Sequence, residues 1–178
     1  MAAKDVKIFL LELKLQKQGA LKGDQVMVQG PLDFKKGLQC HAFNYGVTSQ
    51  FDAGSGQLTG RRIHSPITIV REVDSASPLL WQALCTNESI VTATLSFARP
   101  SSGIGAAQGS LVLHTVLAIT GGAIVKYRTW HGVLPGSTEQ VEQLHTNELE
   151  EFDLVFQKLN YSNMPASKSA QDDWAKMT

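Results

Sequence analysis

Gly60-Arg61-Arg62-Ile63-His64-Ser65-Pro66-Ile67-Thr68-Ile69-Val70-Arg71-Glu72-Val73-Asp74-Ser75-Ala76-Ser77-Pro78-Leu79-Leu80-Trp81-Gln82-Ala83-Leu84 is the stretch around which the chain is organised. Its first half alternates. Ile63, Ile67, Ile69 and Val73 share one parity while Thr68 and Glu72 take the other, the period of a half-buried strand. Pro66 has no N–H to give a ladder, so it belongs at the strand's entry or on an edge. A helix follows from about Pro78 to Thr86. Ser77 offers an N-cap hydroxyl, Pro78 stands where a missing N–H costs nothing, and Asn87 supplies a left-handed stop. So short a helix is unstable alone. Leu80, Trp81 and Leu84 are therefore expected to bury against a sheet, at about 1.5–3 kcal/mol each.

Upstream, residues 6–15 read as a strand. Phe9, Leu11, Leu13 and Leu15 share one face, while Ile8 and Leu10 on the other give way to Glu12 and Lys14. Such a strand is covered on both sides at its start and on one side later. Residues 16–37 are rich in turns, with a short strand expected at residues 25–28. Residues 38–48 read as one strand, and residues 50–60 as a flexible polar loop of the length that usually carries a function.

Downstream, residues 90–99 alternate cleanly, with Val91, Ala93, Leu95 and Phe97 inward. Residues 111–119 are apolar on both parities and should be covered on both faces. Gly121-Gly122 marks a turn before a further strand over residues 123–130. Residues 137–159 are ambiguous: Val141, Leu144, Leu149, Phe152, Val155 and Leu159 fall near helical spacing, yet Phe152, Leu154 and Phe156 also alternate. From Ser162 the chain is small and polar and reads as a loose tail, apart from Asp172-Asp173-Trp174.

The chain has 178 residues, room for one domain with a real core, and sixteen basic against sixteen acidic residues. A nucleic-acid partner normally demands a basic face, which this balance does not provide. No apolar run reaches the length of a membrane span, and no signal peptide precedes the first strand. Cys40 and Cys85 lie far apart in a chain without an export signal, and read as reduced thiols.

No catalytic, cofactor or metal site emerges from local chemistry. Gly54-x-Gly56-x-x-x-Gly60 and Gly103-x-Gly105-x-x-x-Gly109 lead into strands, so no helix N-terminus awaits a phosphate. The five histidines, at 41, 64, 114, 131 and 145, have no ligand spacing with another His, Cys or carboxylate. Cys85, near a helix C-terminus, lacks the positive surroundings that activate a thiol. Glu148, Glu150, Glu151 and Asp153 read as a solvated face.

The run from Thr59 to Asp74, followed by Ser77 to Leu84, resembles the haemolysin-coregulated protein family, which forms the inner tube of the bacterial type VI secretion system. The shared pattern is a basic-His-x-Pro strand entering an acidic–Ser–Pro–Leu helix. It continues in Ala93-Thr94-Leu95-Ser96-Phe97-Ala98-Arg99-Pro100-Ser101-Ser102. Leu149-Glu150-Glu151-Phe152-Asp153-Leu154-Val155-Phe156-Gln157-Lys158-Leu159 resembles the family's last long strand, and Asp172-Asp173-Trp174 its terminal cluster. Gly121-Gly122 departs from the pattern, since relatives often carry a polar residue such as Asn there. Residues 16–37 match weakly.

The resemblance implies a mainly β, compact β-barrel-like sandwich with one principal short helix, in a ring-forming tail-tube-like fold. It implies a strand from about Leu149 to Tyr161. Residues 1–161 would be a single tube-subunit domain and residues 162–178 a polar C-terminal tail. It further implies hexameric rings that stack into a tube, a contractile sheath around it, a spike protein at its tip and effector proteins in its lumen. Such a protein waits in the bacterial cytoplasm and is exported whole, without a signal peptide, membrane insertion, enzymatic activity or cofactor. In the family, the extended loop after the second strand contributes to contacts between rings. Here that loop maps to Gln50, Ser55, Gly56, Gln57, Leu58, Thr59, Gly60, Arg61 and Arg62, with the two arginines facing acidic groups on the next ring. The rival readings are a phage-like contractile tail-tube subunit, a small β-barrel enzyme using Cys85 or His114, and a monomeric ligand-binding barrel.

Overall fold

The computed structural model describes residues 8–101, 110–132 and 147–174. In chain order its elements are β1 (Phe9–Leu15), β2 (Gly19–Ala20), β3 (Val28–Gln29), β4 (Leu32–Asp33), a 3-10 turn (Phe34–Lys36), β5 (Leu38–Cys40), β6 (Ala42–Asn44), β7 (Val47–Phe51), β8 (Leu58–His64), β9 (Ile67–Glu72), α1 (Ser77–Cys85), β10 (Ile90–Pro100), β11 (Leu111–Trp130), β12 (Leu149–Asn163) and β13 (Lys168–Asp173). The fold is mainly β with a single α-helix among the described residues.

Alternation in β1 does what its sequence dictates. Leu11 and Leu15 are fully buried, Leu10 on the opposite face is also covered, and Lys14 is exposed. β1 pairs antiparallel with β10, Leu11 opposite Leu95 and Leu13 opposite Ala93. From there a nine-stranded sheet runs β2-β1-β10-β11-β12-β9-β6, with β13 added to β12 and β5 to β1. The sheet is not closed by a ladder between end strands. The chain bridges the gap instead, because β5 pairs with β1, β6 pairs with β9, and only His41 separates them. That change of partner is why residues 38–48, expected as one strand, form three. The core gathers Leu11, Leu13, Leu15, Ile67, Ile69, Leu95, Ile119, Phe152 and Leu154 into one cluster.

Helix α1 packs Leu80 and Ala83 into this core, with Leu84 partly buried. Trp81 was expected among them and is instead 56% exposed. At 3.6 residues per turn a nine-residue helix offers the sheet one stripe, and Leu80, Ala83 and Leu84 occupy it. Ser77 is the first helical residue and not the cap. Its hydroxyl accepts the Asp74 N–H at 2.9 Å, while the Asp74 carboxylate accepts the Ala76 N–H at 2.9 Å. Asn87, at φ +50°, supplies the left-handed stop that its side chain tolerates.

The organising strand divides at Ser65-Pro66. β9 joins the main sheet, with Ile67, Ile69 and Arg71 on its buried face, while β8 turns out to pair with β7. Ile63 and Val73, expected inside, are therefore 51% and 38% exposed, and Arg71 takes the inward place at 2%.

Gly121-Gly122 is not a turn. β11 runs through it for twenty residues, with Thr120 opposite Lys158 and Gly122 opposite Phe156 on β12. The pair adopts φ +67° and +142°, and a Cβ on Gly122 would lie 1.9 Å from the Val155 carbonyl oxygen. Glycine lets a long strand bend here without losing its partner.

β12 settles the ambiguity over its own residues in favour of a strand; residues 137–146 of that segment lie outside the described residues. The same holds for His145 and for most of the second glycine loop. Beyond Ser162, where a loose tail was expected, β13 pairs with β12 from Lys158–Asp173 to Asn163–Lys168.

Candidate functional site

Of residues 50–60, expected as a loop, 52–57 form the turn of a β-hairpin and the remainder belong to its strands. β7 and β8 make their own two-stranded sheet, apart from the nine-stranded one. Only the tip is irregular. Asp52 accepts the Gly56 N–H at 2.7 Å through its carbonyl, and its carboxylate accepts the Ser55 N–H and hydroxyl at 2.8 and 2.5 Å. Those bonds hold the Asp52 carboxyl below its ordinary pKa. Gly56 takes the positive φ, +70°, that closes the turn. Gly60 lies under the Gln50 side chain, where a Cβ would come within 2.8 Å of it.

The hairpin is open to solvent along nearly its whole length. Gln50, Ser55, Gly56, Gln57, Leu58, Thr59, Gly60 and Arg61 are all exposed. Two large apolar side chains face each other near the tip: Phe51 is 64% and Leu58 75% exposed, and the two are register partners. Val47 and Ile63 add further exposed apolar surface at the base. Sequence reading missed this apolar character, because it took the segment as a polar loop.

Arg62 differs from Arg61. Its Nε donates to Asp172 Oδ2 at 2.5 Å, and its Nη2 pairs with Asp172 Oδ1 to complete a two-toothed ion pair with the C-terminal strand. Asp172 Oδ2 also meets His64 Nε2 at 2.6 Å, and His64 Nδ1 meets the Tyr45 hydroxyl at 2.7 Å. One tautomer satisfies both contacts: Nε2–H donates to the carboxylate, and the Tyr45 O–H donates to Nδ1. The Trp174 and Phe156 rings stand 5.3 and 5.4 Å from the imidazole. The Arg62 guanidinium brings the Asp172 pKa down to about 2, with the His64 bond acting in the same direction. Burial, then Asp172 itself, raises that of Tyr45. Alternation places Arg62 and His64 on one side of β8, but nothing local in the sequence names Asp172 as their partner.

A second polar cluster lies inside the domain and corrects the reading of the acidic run as a solvated face at Glu150 and Glu151, while Glu148 is exposed as expected. Glu150 is fully buried and Glu151 nearly so. Arg71 Nη1 donates to Glu150 Oε1 at 2.9 Å, its Nη2 pairs with Asp74, and its Nε donates to the Gln39 carbonyl at 3.3 Å. The Tyr127 hydroxyl donates to Glu150 Oε2 at 2.5 Å. Burial raises the Glu150 pKa against these partners. This cluster ties β5, β9, β12 and the entry to α1 together; its members are inside the fold and serve its architecture.

Among the described residues no hydrogen bond joins Cys85, named for a rival enzyme, to a histidine. Cys85 is exposed and Cys40 buried, both are free thiols, and burial pushes the Cys40 thiol up to about 12. His114 bonds the neighbouring Thr115 hydroxyl at 2.8 Å. Among the described residues no group of three His, Cys, Asp or Glu is placed to hold a metal ion, and no helix is long and apolar enough to cross a membrane.

Comparison with known proteins bears on this geometry. The family model described as "Type VI secretion system effector, Hcp" matches residues 15–162. The Major exported protein of Pseudomonas aeruginosa is 30% identical over 153 residues, covering 85% of this chain and 76% of that protein. A crystal structure of an Hcp protein superposes with a TM-score of 0.76 at 18% identity, covering 94% of this chain and 99% of the other. Hcp1 from E. coli EAEC 042 gives 0.72 at 22% identity, covering 95% and 99%, and the secreted protein Hcp3 from Pseudomonas aeruginosa gives 0.67 at 17%, covering 94% and 97%. The structural likenesses establish the fold. The family match across most of the chain, joined to the identity with an exported relative, makes this chain a member of the Hcp family, the secreted tube proteins of the type VI secretion system.

Proposed function

We propose that the chain is a structural subunit, not an enzyme, that forms hexameric rings stacked into the inner tube of a type VI secretion system. A contractile sheath drives the tube outward from the bacterial cytoplasm, a spike caps it, and effector proteins ride in its lumen. The assembling unit is a single domain, and β13 belongs to it through its pairing with β12.

The observation that carries the stacking part of this reading is the exposed β7–β8 hairpin. A two-stranded ribbon is marginal in water and normally needs cover. Here the Phe51–Leu58 pair and the Arg61 head, which has no ion pair among the described residues, are exposed on a ribbon outside the main sheet, a combination suited to an apolar contact rimmed by an ion pair with the next ring. Arg62 no longer serves as a contact residue in this reading, because Asp172 of the same chain already engages it.

The test is assembly. The double variant Phe51→Ser/Leu58→Ser, and separately Arg61→Glu, are expected to keep single rings in native mass spectrometry while shortening tubes in negative-stain images. Tubes of undiminished length in both variants would remove the hairpin from the stacking contact, and a strictly monomeric wild-type protein at high concentration would overturn the tube assignment.

A further inference from the structure

We propose that Asp172 is the positioning residue of the β7–β8 hairpin: its carboxylate, held between Arg62 and His64, fixes the direction in which the hairpin leaves the sheet. The functional consequence rests on the reading that this hairpin contacts the next ring, but the positioning itself does not.

The hairpin makes no ladder with the nine-stranded sheet. At its root the two arms hold each other: the Ser65 N–H donates to the Gly46 carbonyl at 2.9 Å, and the Gly46 N–H to the Ser65 hydroxyl at 2.8 Å. These bonds close the ribbon where it leaves the β6–β9 ladder, beyond its last pair Asn44–Thr68, and the ladder interrupted there does not by itself fix the rotation of the outer arms. An aim requires a group belonging to the body of the domain. Asp172 is such a group, since β13 is laid along β12 and the Lys158 ammonium reaches Asp173 at 3.5 Å.

From this fixed strand Asp172 takes hold of β8 twice, at Arg62 through a planar fork and at His64 through one nitrogen. Two attachments on the same strand, two residues apart, restrain rotation as well as distance. A single contact would leave a hinge. Tyr45, just before β7, holds the other nitrogen of the same imidazole, so both arms of the hairpin are referred to one carboxylate. The Trp174 and Phe156 rings flank His64 and keep water from competing with the bonds. The C-terminal strand thereby sets the presentation of a surface more than a hundred residues away in sequence.

Amide hydrogen exchange followed by mass spectrometry tests this on the full chain, at concentrations too low for rings to stack. Asp172→Asn keeps the side chain's size and removes its charge. Peptides spanning residues 46–64 are expected to exchange at least about ten-fold faster in this variant, with peptides of β1 and β10 unchanged. Asp172→Glu, which retains a carboxylate, is expected to restore much of the protection. Should Asp172→Asn fail to fold, Arg62→Gln takes its place with the same expectation. Unchanged exchange in the hairpin would overturn the positioning role, as would equal loosening of β1 and β10, which would mark Asp172 as a general stabiliser. A loosened hairpin together with undiminished tubes supports the positioning role and counts against the stacking reading instead, so the two fail separately.

Discussion

Asp172 Oδ2 and His64 Nε2 lie 2.6 Å apart across 108 positions of sequence. The contact joins the root of the exposed hairpin to the last strand of the domain, two parts of the chain that share no backbone ladder. Arg62 completes it, and the three side chains form one charge-assisted group at the domain surface.

This group gives the protein a defined response to acid. The folded-state pKa of Asp172 is depressed from 3.8 to about 2, so its ionised form is favoured by folding. The associated stability is fully present above the unfolded value and is lost as pH falls through the folded one. The groups facing the carboxylate are Arg62 and His64 from β8, with Tyr45 behind the imidazole. The difference in Tm between the native protein and Asp172→Asn should therefore be constant above about pH 5 and close as the pH falls toward about 2. Differential scanning calorimetry across that range reads it; a gap that persists unchanged at the acid end would contradict the assignment.

Gly122 and Gly19 offer a controlled comparison of backbone effects. Both have positive φ, but a Cβ at Gly122 would meet the Val155 carbonyl oxygen at 1.9 Å, whereas nothing lies within 4 Å at Gly19. Gly19→Ala is expected to cost about 1 kcal/mol, the conformational penalty alone. Gly122→Ala must also displace β12 and should cost about 3 kcal/mol or more. Urea denaturation of the two variants measures the difference, and equal losses would show that β11 has another way to bend.

The buried Arg71–Glu150 pair should behave asymmetrically. Arg71→Met leaves a carboxylate at zero exposure without its cation, and should lower stability by about 3–5 kcal/mol. The double variant Arg71→Met/Glu150→Met removes both charges and is expected to lose less than the single one, measured in a double-mutant cycle. A larger loss in the double variant would mean that Gln39, Asp74 and Tyr127 depend on both members. Either result reports on the interior and leaves the hairpin untouched.

How far local pattern reaches differs from one element to the next. In β1, and in β10 from Ala93 onward, alternation over consecutive residues was enough, because a slip of one residue would turn the apolar face to solvent, whereas the periodicity of β12 fitted a helix as well and only the family pattern favoured a strand. In α1 the stop at Asn87 and the inward Leu80 followed from local chemistry, while the exposure of Trp81 did not. Periodicity finds an apolar stripe but not how much of it the neighbouring sheet covers. Gly121-Gly122 shows the same limit, since a glycine pair permits either a turn or a bend, and only the partner strand chooses between them.

By itself, the sequence determined the strands with a clean period of two, the helix α1, the balance of charge that argues against a nucleic-acid partner, and the family pattern running from the basic-His-x-Pro entry to Asp172-Asp173-Trp174. These are properties of residues within a few positions of one another, or of the order in which such groups follow along the chain. Tertiary structure alone decided that Arg62 is committed to Asp172 while Arg61 is not, that Glu150 is interior, and that the segment expected as a polar loop is a polar turn joining two strands, with an exposed apolar pair beside it. Each of these depends on which distant strand comes alongside, and that choice is made by the packing of the whole core.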